Sequence, residues 1–138
     1  MRRIVVLLAL AGIAACGGDS SDTVSPTPRG VEGTYQLTTV NGQVMPLLLA
    51  QDDTAKLELL DGFVTLRTDG SFIDVIRLRR TAPSGTAVEP DTIAGTFLRM
   101  DTTLLFQPSD QSGNYFMTVT DDQTLTESDP GIVIVYRR

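Results

Sequence analysis

Residues 63–76 read Phe63-Val64-Thr65-Leu66-Arg67-Thr68-Asp69-Gly70-Ser71-Phe72-Ile73-Asp74-Val75-Ile76, two apolar-rich runs on either side of Asp69-Gly70. β-Branched and aromatic side chains fill both runs, and these suit a pleated, half-buried surface. Asp-Gly between such runs signals a hairpin, with a two-residue type I′ loop as the expected connection. That loop sets Thr68 opposite Ser71, Leu66 opposite Ile73 and Val64 opposite Val75. Leu66, Ile73, Val64 and Val75 then share one dry face that belongs to a core. The other face carries Phe63, Thr65, Arg67, Phe72, Asp74 and Ile76, with Arg67 diagonal to Asp74, a spacing at which cross-strand side chains interact. It reads as outer surface or as the wall of a wetter cavity.

Outward from this hairpin, short apolar or alternating segments recur with turn residues between them, the pattern of an all-β domain. The expected strands are 33–40, 55–60, 63–68, 71–79, 92–100, 103–107, 115–120, 124–127 and 132–137. No segment keeps a 3.6-residue period over three turns. Residues 45–50 (Met-Pro-Leu-Leu-Leu-Ala) are the one place for a short helix or turn, which Pro46 would open. The last run, Ile132-Val133-Ile134-Val135-Tyr136, is apolar at every position, whereas a strand with one solvated face alternates. It is therefore expected either to be covered on both sides or to close a barrel and remove an exposed edge. Strands in meander order point to an antiparallel up-and-down β-barrel or a compressed sandwich of about eight strands.

The N-terminal residues have a different physical logic. Arg2 and Arg3 precede an uncharged apolar run, Ile4 to Ala15, too short for a permanent span, which needs about 20 residues. It matches the apolar core of a signal peptide. Ile13-Ala14-Ala15-Cys16 resembles a lipobox, the bacterial lipoprotein signal of an aliphatic residue, two small residues and a cysteine. The resemblance implies cleavage after residue 15, a diacylglycerol thioether on Cys16 and a further acyl chain such as palmitate. Two or more chains give stable membrane anchoring where one is marginal. Residues 17–30 (GGDSSDTVSPTPRG) hold too little apolar surface to fold and read as a flexible tether. The expected organisation is a signal peptide at 1–15, a lipidated cysteine and tether at 16–30, and one β domain at 31–138.

Gly33-Thr34-Tyr35-Gln36-Leu37-Thr38-Thr39-Val40-Asn41-Gly42 with Pro46 resembles the opening of small lipocalin-like lipoprotein domains, roughly G-x-Y-x-L-x-x-V-N-G-x-x-x-P. Gly95-Thr96-Phe97, Thr124-Leu125-Thr126 and Val135-Tyr136-Arg137-Arg138 are similar to later strands of that family. Tyr35 stands where the lipocalin opening usually carries tryptophan. META-type stress lipoprotein domains open in a similar way. The lipocalin-like resemblance implies a barrel with a ligand pocket inside it.

Composition narrows the function. Without Arg2 and Arg3, nine basic side chains face 17 acidic ones, a net charge of −8. That balance argues against nucleic acid, which is held by many Lys/Arg–phosphate contacts. The chain has no histidine, the commonest general base and metal ligand. Lys56 is the only lysine and no serine sits in a G-x-S-x-G elbow, so a non-enzymatic protein without cofactor or metal is expected. Asp52, Asp53, Asp69, Asp101, Asp110, Asp121, Asp122, Glu127 and Asp129 read as turn residues, where a carboxylate satisfies nearby backbone donors. Arg67, Arg77 and Arg99 fall in expected strands. Pointing inward beside Phe63, Phe72, Phe97 or Tyr115, a guanidinium would bind the carboxylate of an amphipathic ligand; pointing outward, it would pair with a neighbour such as Asp74. The candidate ligand-binding set is thus Phe63, Arg67, Phe72, Phe97, Arg99 and Tyr115. The expected function is a binding module for a small apolar or amphipathic molecule, anchored to a cell-envelope membrane through Cys16. The alternative is an interaction lipoprotein with a packed core and a partner protein on its surface. Gly17 after Cys16, in place of aspartate, favours the outer membrane over the inner, on the periplasmic side or at the cell surface.

Overall fold

A computed structural model describes residues 30–138. The expected signal peptide, Cys16 and all but the last tether residue lie outside the described residues. The strands are β1 (Gly33–Val40), β2 (Gln43–Val44), β3 (Leu47–Gln51), β4 (Lys56–Leu66), β5 (Ser71–Ala82), β6 (Gly85–Met100), β7 (Thr103–Pro108), β8 (Tyr115–Asp121), β9 (Thr124–Asp129) and β10 (Ile132–Arg137). Each long strand pairs antiparallel with its neighbour from β4 through to β10, β10 pairs with β1, and β1 returns to β4. The result is a closed eight-stranded meander barrel, consistent with a lipocalin-like architecture, with β2 and β3 as additions at the β1–β4 seam. The sandwich alternative does not form.

The deciding hairpin forms, but one residue out of the expected register. Leu66 pairs with Phe72, Thr65 with Ile73 and Val64 with Asp74. A type I′ loop requires φ > 0 at both Asp69 and Gly70, and only Gly70 takes a positive value, +80°. The chain instead makes a three-residue loop, Thr68-Asp69-Gly70, in which a β-turn is followed by Gly70 as a bulge. Gly70 N–H donates to the Arg67 carbonyl (3.1 Å) and Arg67 N–H to Ser71 (2.9 Å). The Asp69 carboxylate accepts from the Ser71 amide (2.9 Å) and hydroxyl (2.6 Å), which holds the aspartate in place. Because side chains alternate with period two, a one-residue slip sends the whole of β5 to the opposite face. Val64, Leu66, Phe72 and Asp74 point inward; Phe63, Thr65, Ile73 and Val75 face outward. The type I′ geometry occurs instead at Asn41-Gly42, with φ +51° and +76° between paired Val40 and Gln43.

Three other expectations change. The runs at 55–60 and 63–68 are one strand, because a bulge between Leu59 and Asp61 absorbs the Asp-Gly break. Gly62 fits there for want of a side chain: a Cβ would stand 2.9 Å from the Val75 carbonyl. Residues 45–50 contribute no helix; Leu47–Gln51 is strand β3 beside β4. β10 closes the barrel, as one expectation had it, but is not covered on both sides, since Ile132 and Val133 are 36% and 42% exposed.

The core lies toward one end. Val31, Tyr35, Val64, Leu66, Phe72, Phe97, Leu104, Phe106, Met117 and Leu125 are sealed from solvent there. Phe72 meets Phe106 edge-on at 4.8 Å, and Phe97 stacks on Phe106 at 6.1 Å. Each such side chain contributes about 1.5–3 kcal/mol of burial. Tyr35 donates its hydroxyl to the Val31 carbonyl (2.8 Å), pinning the entering chain across this closed end. The Arg138 guanidinium lies 5.3 Å over the Tyr35 ring and bonds to the carbonyls of Glu32 and Asp122.

Candidate functional site

The six candidate ligand-binding residues do not meet in one place. Phe72 and Phe97 are 1% exposed and belong to the packed closed end. Phe63 sits on the outer face of β4, opposite Val75 and Gln36. Arg67 lies in the hairpin turn, exposed, rather than in a strand, and Asp74, its expected partner, points the other way. Arg99 donates from Nε to the Asp101 carbonyl (2.9 Å), its guanidinium beside Gly30 at the closed end. Only Tyr115 reaches a cavity. Arg77 pairs outward with Asp61, and Arg79 with Glu58 at 2.8 Å. An arginine inside the barrel for a ligand carboxylate is therefore not what the fold supplies at any of Arg67, Arg77 or Arg99.

The opposite end of the barrel is open. Two adjoining cavities of about 150 and 380 Å³ share Asp74, Ile93 and Glu127. The inner one adds Ile76, Asp91, Ile134 and Tyr136; the outer adds Tyr115, Asp129 and the Ser112–Asn114 loop. Register explains the lining. Glu127 pairs with Ile134, Leu125 with Tyr136 and Asp74 with Ile93, so each carboxylate occupies an inward position one step beyond a core residue. Each acid thus stands directly across from an isoleucine, Asp74 from Ile93, Glu127 from Ile134 and Asp91 from Ile76, with Tyr136 on the core side. A separate groove of about 240 Å³ beside β3 and β4 is lined by residues such as Asp52, Lys56 and Arg80.

The electrostatics of the open end are unusual. Asp74 is 9% exposed, and its Oδ1 has no hydrogen-bond partner. The buried Tyr115 hydroxyl is likewise without a partner. A buried polar atom left unpaired forfeits its hydration without repayment. Burial raises the Asp74 carboxyl to about 6, helped by the nearby Asp91 charge. Burial also raises Glu127 to about 7, with Asp74 and Asp129 adding to it. The Tyr115 and Tyr136 hydroxyls are pushed up by burial and by these same two acids. By contrast Asp52, Asp69, Asp110 and Asp121 accept backbone bonds in turns, as expected, and are held below the usual carboxylate range. Glu127 departs from that expectation: it is a strand residue facing the interior.

Asp74, Asp91 and Glu127 escaped the sequence reading for one reason. Their inward orientation depends on register, and the misplaced loop turned Asp74 outward. The available signal was the alternation Leu125-x-Glu127 and Phe97-x-Gly95-x-Ile93-x-Asp91, which carries an inward row on from the core. No protein-family model matches the chain, and no curated protein is significantly similar to it.

Proposed function

We propose that this protein is a lipid-anchored, non-enzymatic binding module of the cell envelope, holding a small apolar or amphipathic molecule in the open end of its barrel. The observation that carries this reading is the unequal filling of the barrel: aromatic side chains pack one end, while the other keeps a cavity walled by isoleucines, tyrosines and a few acids. Ligand sites are concave, largely apolar and furnished with a few converging polar groups, and the mouths of barrels are a preferred place for them. The lipobox at Ile13–Cys16 and the Gly/Ser/Asp-rich tether support the anchor, and Gly17 supports the outer membrane. The opening motif at Gly33–Gly42 and the barrel support kinship with lipocalin-like lipoprotein domains.

Native mass spectrometry of the protein purified from its host's envelope tests the binding reading; a co-purifying small molecule supports it, and an empty barrel that takes up no amphiphile refutes it. Cys16→Ser is expected to move the protein from the membrane to the soluble fraction, and retention in the membrane would refute the anchor. The partner-protein alternative would use the outward row Leu98, Leu105 and Phe116, paired directly across β6, β7 and β8, in which Leu98 and Phe116 are exposed and Leu105 is half-buried between them. A stoichiometric partner protein in the same preparation, lost on Phe116→Ser, would favour it.

A further inference from the structure

We infer that the molecule held at the open end is a cationic amphiphile, an organic ammonium group on an apolar body, with the ammonium between Asp74, Glu127 and the Tyr115 hydroxyl. This rests on the binding reading above and adds the sign of the ligand's charge.

The wall of the open end carries charge of one sign. Asp74, Asp91, Glu127 and Asp129 line the two cavities, and no lysine or arginine does so among the described residues. Arg77 and Arg79 are committed to Asp61 and Glu58 on the outer surface. A carboxylate ligand would meet like charge at every turn; a cation meets only opposite charge.

Two buried oxygens at this wall also lack partners. Asp74 is more than nine-tenths buried, lines both cavities, and leaves Oδ1 unpaired. The Tyr115 oxygen is buried and unpaired beside the same space. A primary ammonium offers three N–H donors and no acceptor, so one group can satisfy both oxygens and still reach Glu127. Across from the acids, Ile76, Ile93 and Ile134 give an alkyl chain an apolar wall. A bare metal ion fits less well, since no three acids among the described residues are placed to coordinate one.

Binding of this kind depends on pH. The groups facing Asp74 are Asp91 from β6, Glu127 and Asp129 from β9, Tyr115 from β8 and Tyr136 from β10, while β4 offers only Val64. Asp74 and Glu127 hold protons up to about 6 and about 7. An ammonium ligand displaces those protons, so its affinity rises as pH climbs from 5 to 8.

The test uses the exported chain, residues 16–138 carrying Cys16→Ser, which contains every strand and core residue of the barrel. Decylammonium, decanol and decanoate, each below its micelle concentration, are titrated calorimetrically at pH 7.5. Decylammonium is expected to bind at least about tenfold more tightly than the other two, the scale of a charge-assisted hydrogen bond. Asp74→Asn and Glu127→Gln are each expected to remove most of that preference by weakening decylammonium binding far more than decanol binding. Equal binding of all three, a preference for decanoate, or full decylammonium affinity in both variants overturns the charge assignment while leaving the binding reading intact. No binding by any of the three overturns both.

Discussion

Replacing Asp74 by asparagine keeps the shape of the side chain and removes only its ability to ionise. In the folded barrel the carboxyl is almost fully covered, has one oxygen unpaired, and titrates at about 6 instead of 3.8. A carboxyl raised in this way binds its proton more tightly when folded than when unfolded. Its stabilising contribution is complete below about 3.8 and is lost as pH rises through about 6. At about 1.4 kcal/mol for each tenfold, the interval from 3.8 to about 6 corresponds to roughly 3 kcal/mol. Asp74→Asn is therefore expected to match the parent near pH 4 and to exceed it above pH 7.5 by up to about 3 kcal/mol, on the order of 10 °C in Tm for a domain of this size. Urea or thermal denaturation of both proteins at half-unit steps from pH 4 to 8.5 measures the difference directly. Glu127, raised to about 7, acts in the same direction and steepens the decline of the parent. The turn carboxylates Asp52, Asp69, Asp110 and Asp121 act in the opposite direction, and only as pH falls below about 4. A variant that is less stable than the parent at pH 8, or a difference that does not change with pH, would refute the view that Asp74 is an unpaired buried acid.

Gly95→Ala is expected to destabilise the barrel by about 3 kcal/mol in chemical denaturation, the upper part of the range for overpacking. A Cβ there would stand 2.1 Å from the Gln107 carbonyl and 2.9 Å from Phe72 Cε1, so β6 and β7 would have to part. Tyr35→Phe should cost about 1–2 kcal/mol by leaving the buried Val31 carbonyl without its donor; no loss on denaturation would mean that the pin across the closed end is dispensable. Arg77→Ala removes a solvent-exposed pair with Asp61 and should change stability by no more than about 1 kcal/mol. A larger fall in Tm would show that this pair carries more than its exposure implies.

The all-β class, the meander order and the strand bounds near β1, β7 and β10 could be read directly, because alternation and turn residues are local properties of the chain. The long β5–β6 hairpin ran past its expected ends at Arg79 and Thr92. Pro83, Gly85 and Pro90 locally argue for a loop, yet residue-by-residue pairing from Ala82–Gly85 down to Ser71–Thr96 holds the ribbon together. The expectation of a lipidated Cys16 and a tether rests on composition and a local motif alone, since export signals are recognised as sequence and need no fold.

What sequence by itself determined was the all-β class, the meander of long strands and the absence of histidine; which face of each strand looked inward was a tertiary decision. At Asp69-Gly70 two turn types share one dipeptide signature. The choice between them rested on whether Asp69 would accept a positive φ or instead bind the Ser71 amide and hydroxyl with its side chain. That single choice moved Phe72 into the core and set Asp74 in the open end. Closure of β10 onto β1 and of β1 onto β4 then brought Asp74 and Asp91 to the same mouth as Tyr115 and Glu127, residues far apart along the chain. A local pattern specifies neighbours two or four residues away; convergence of acids from β5, β6 and β9 exists only once the sheet has closed on itself.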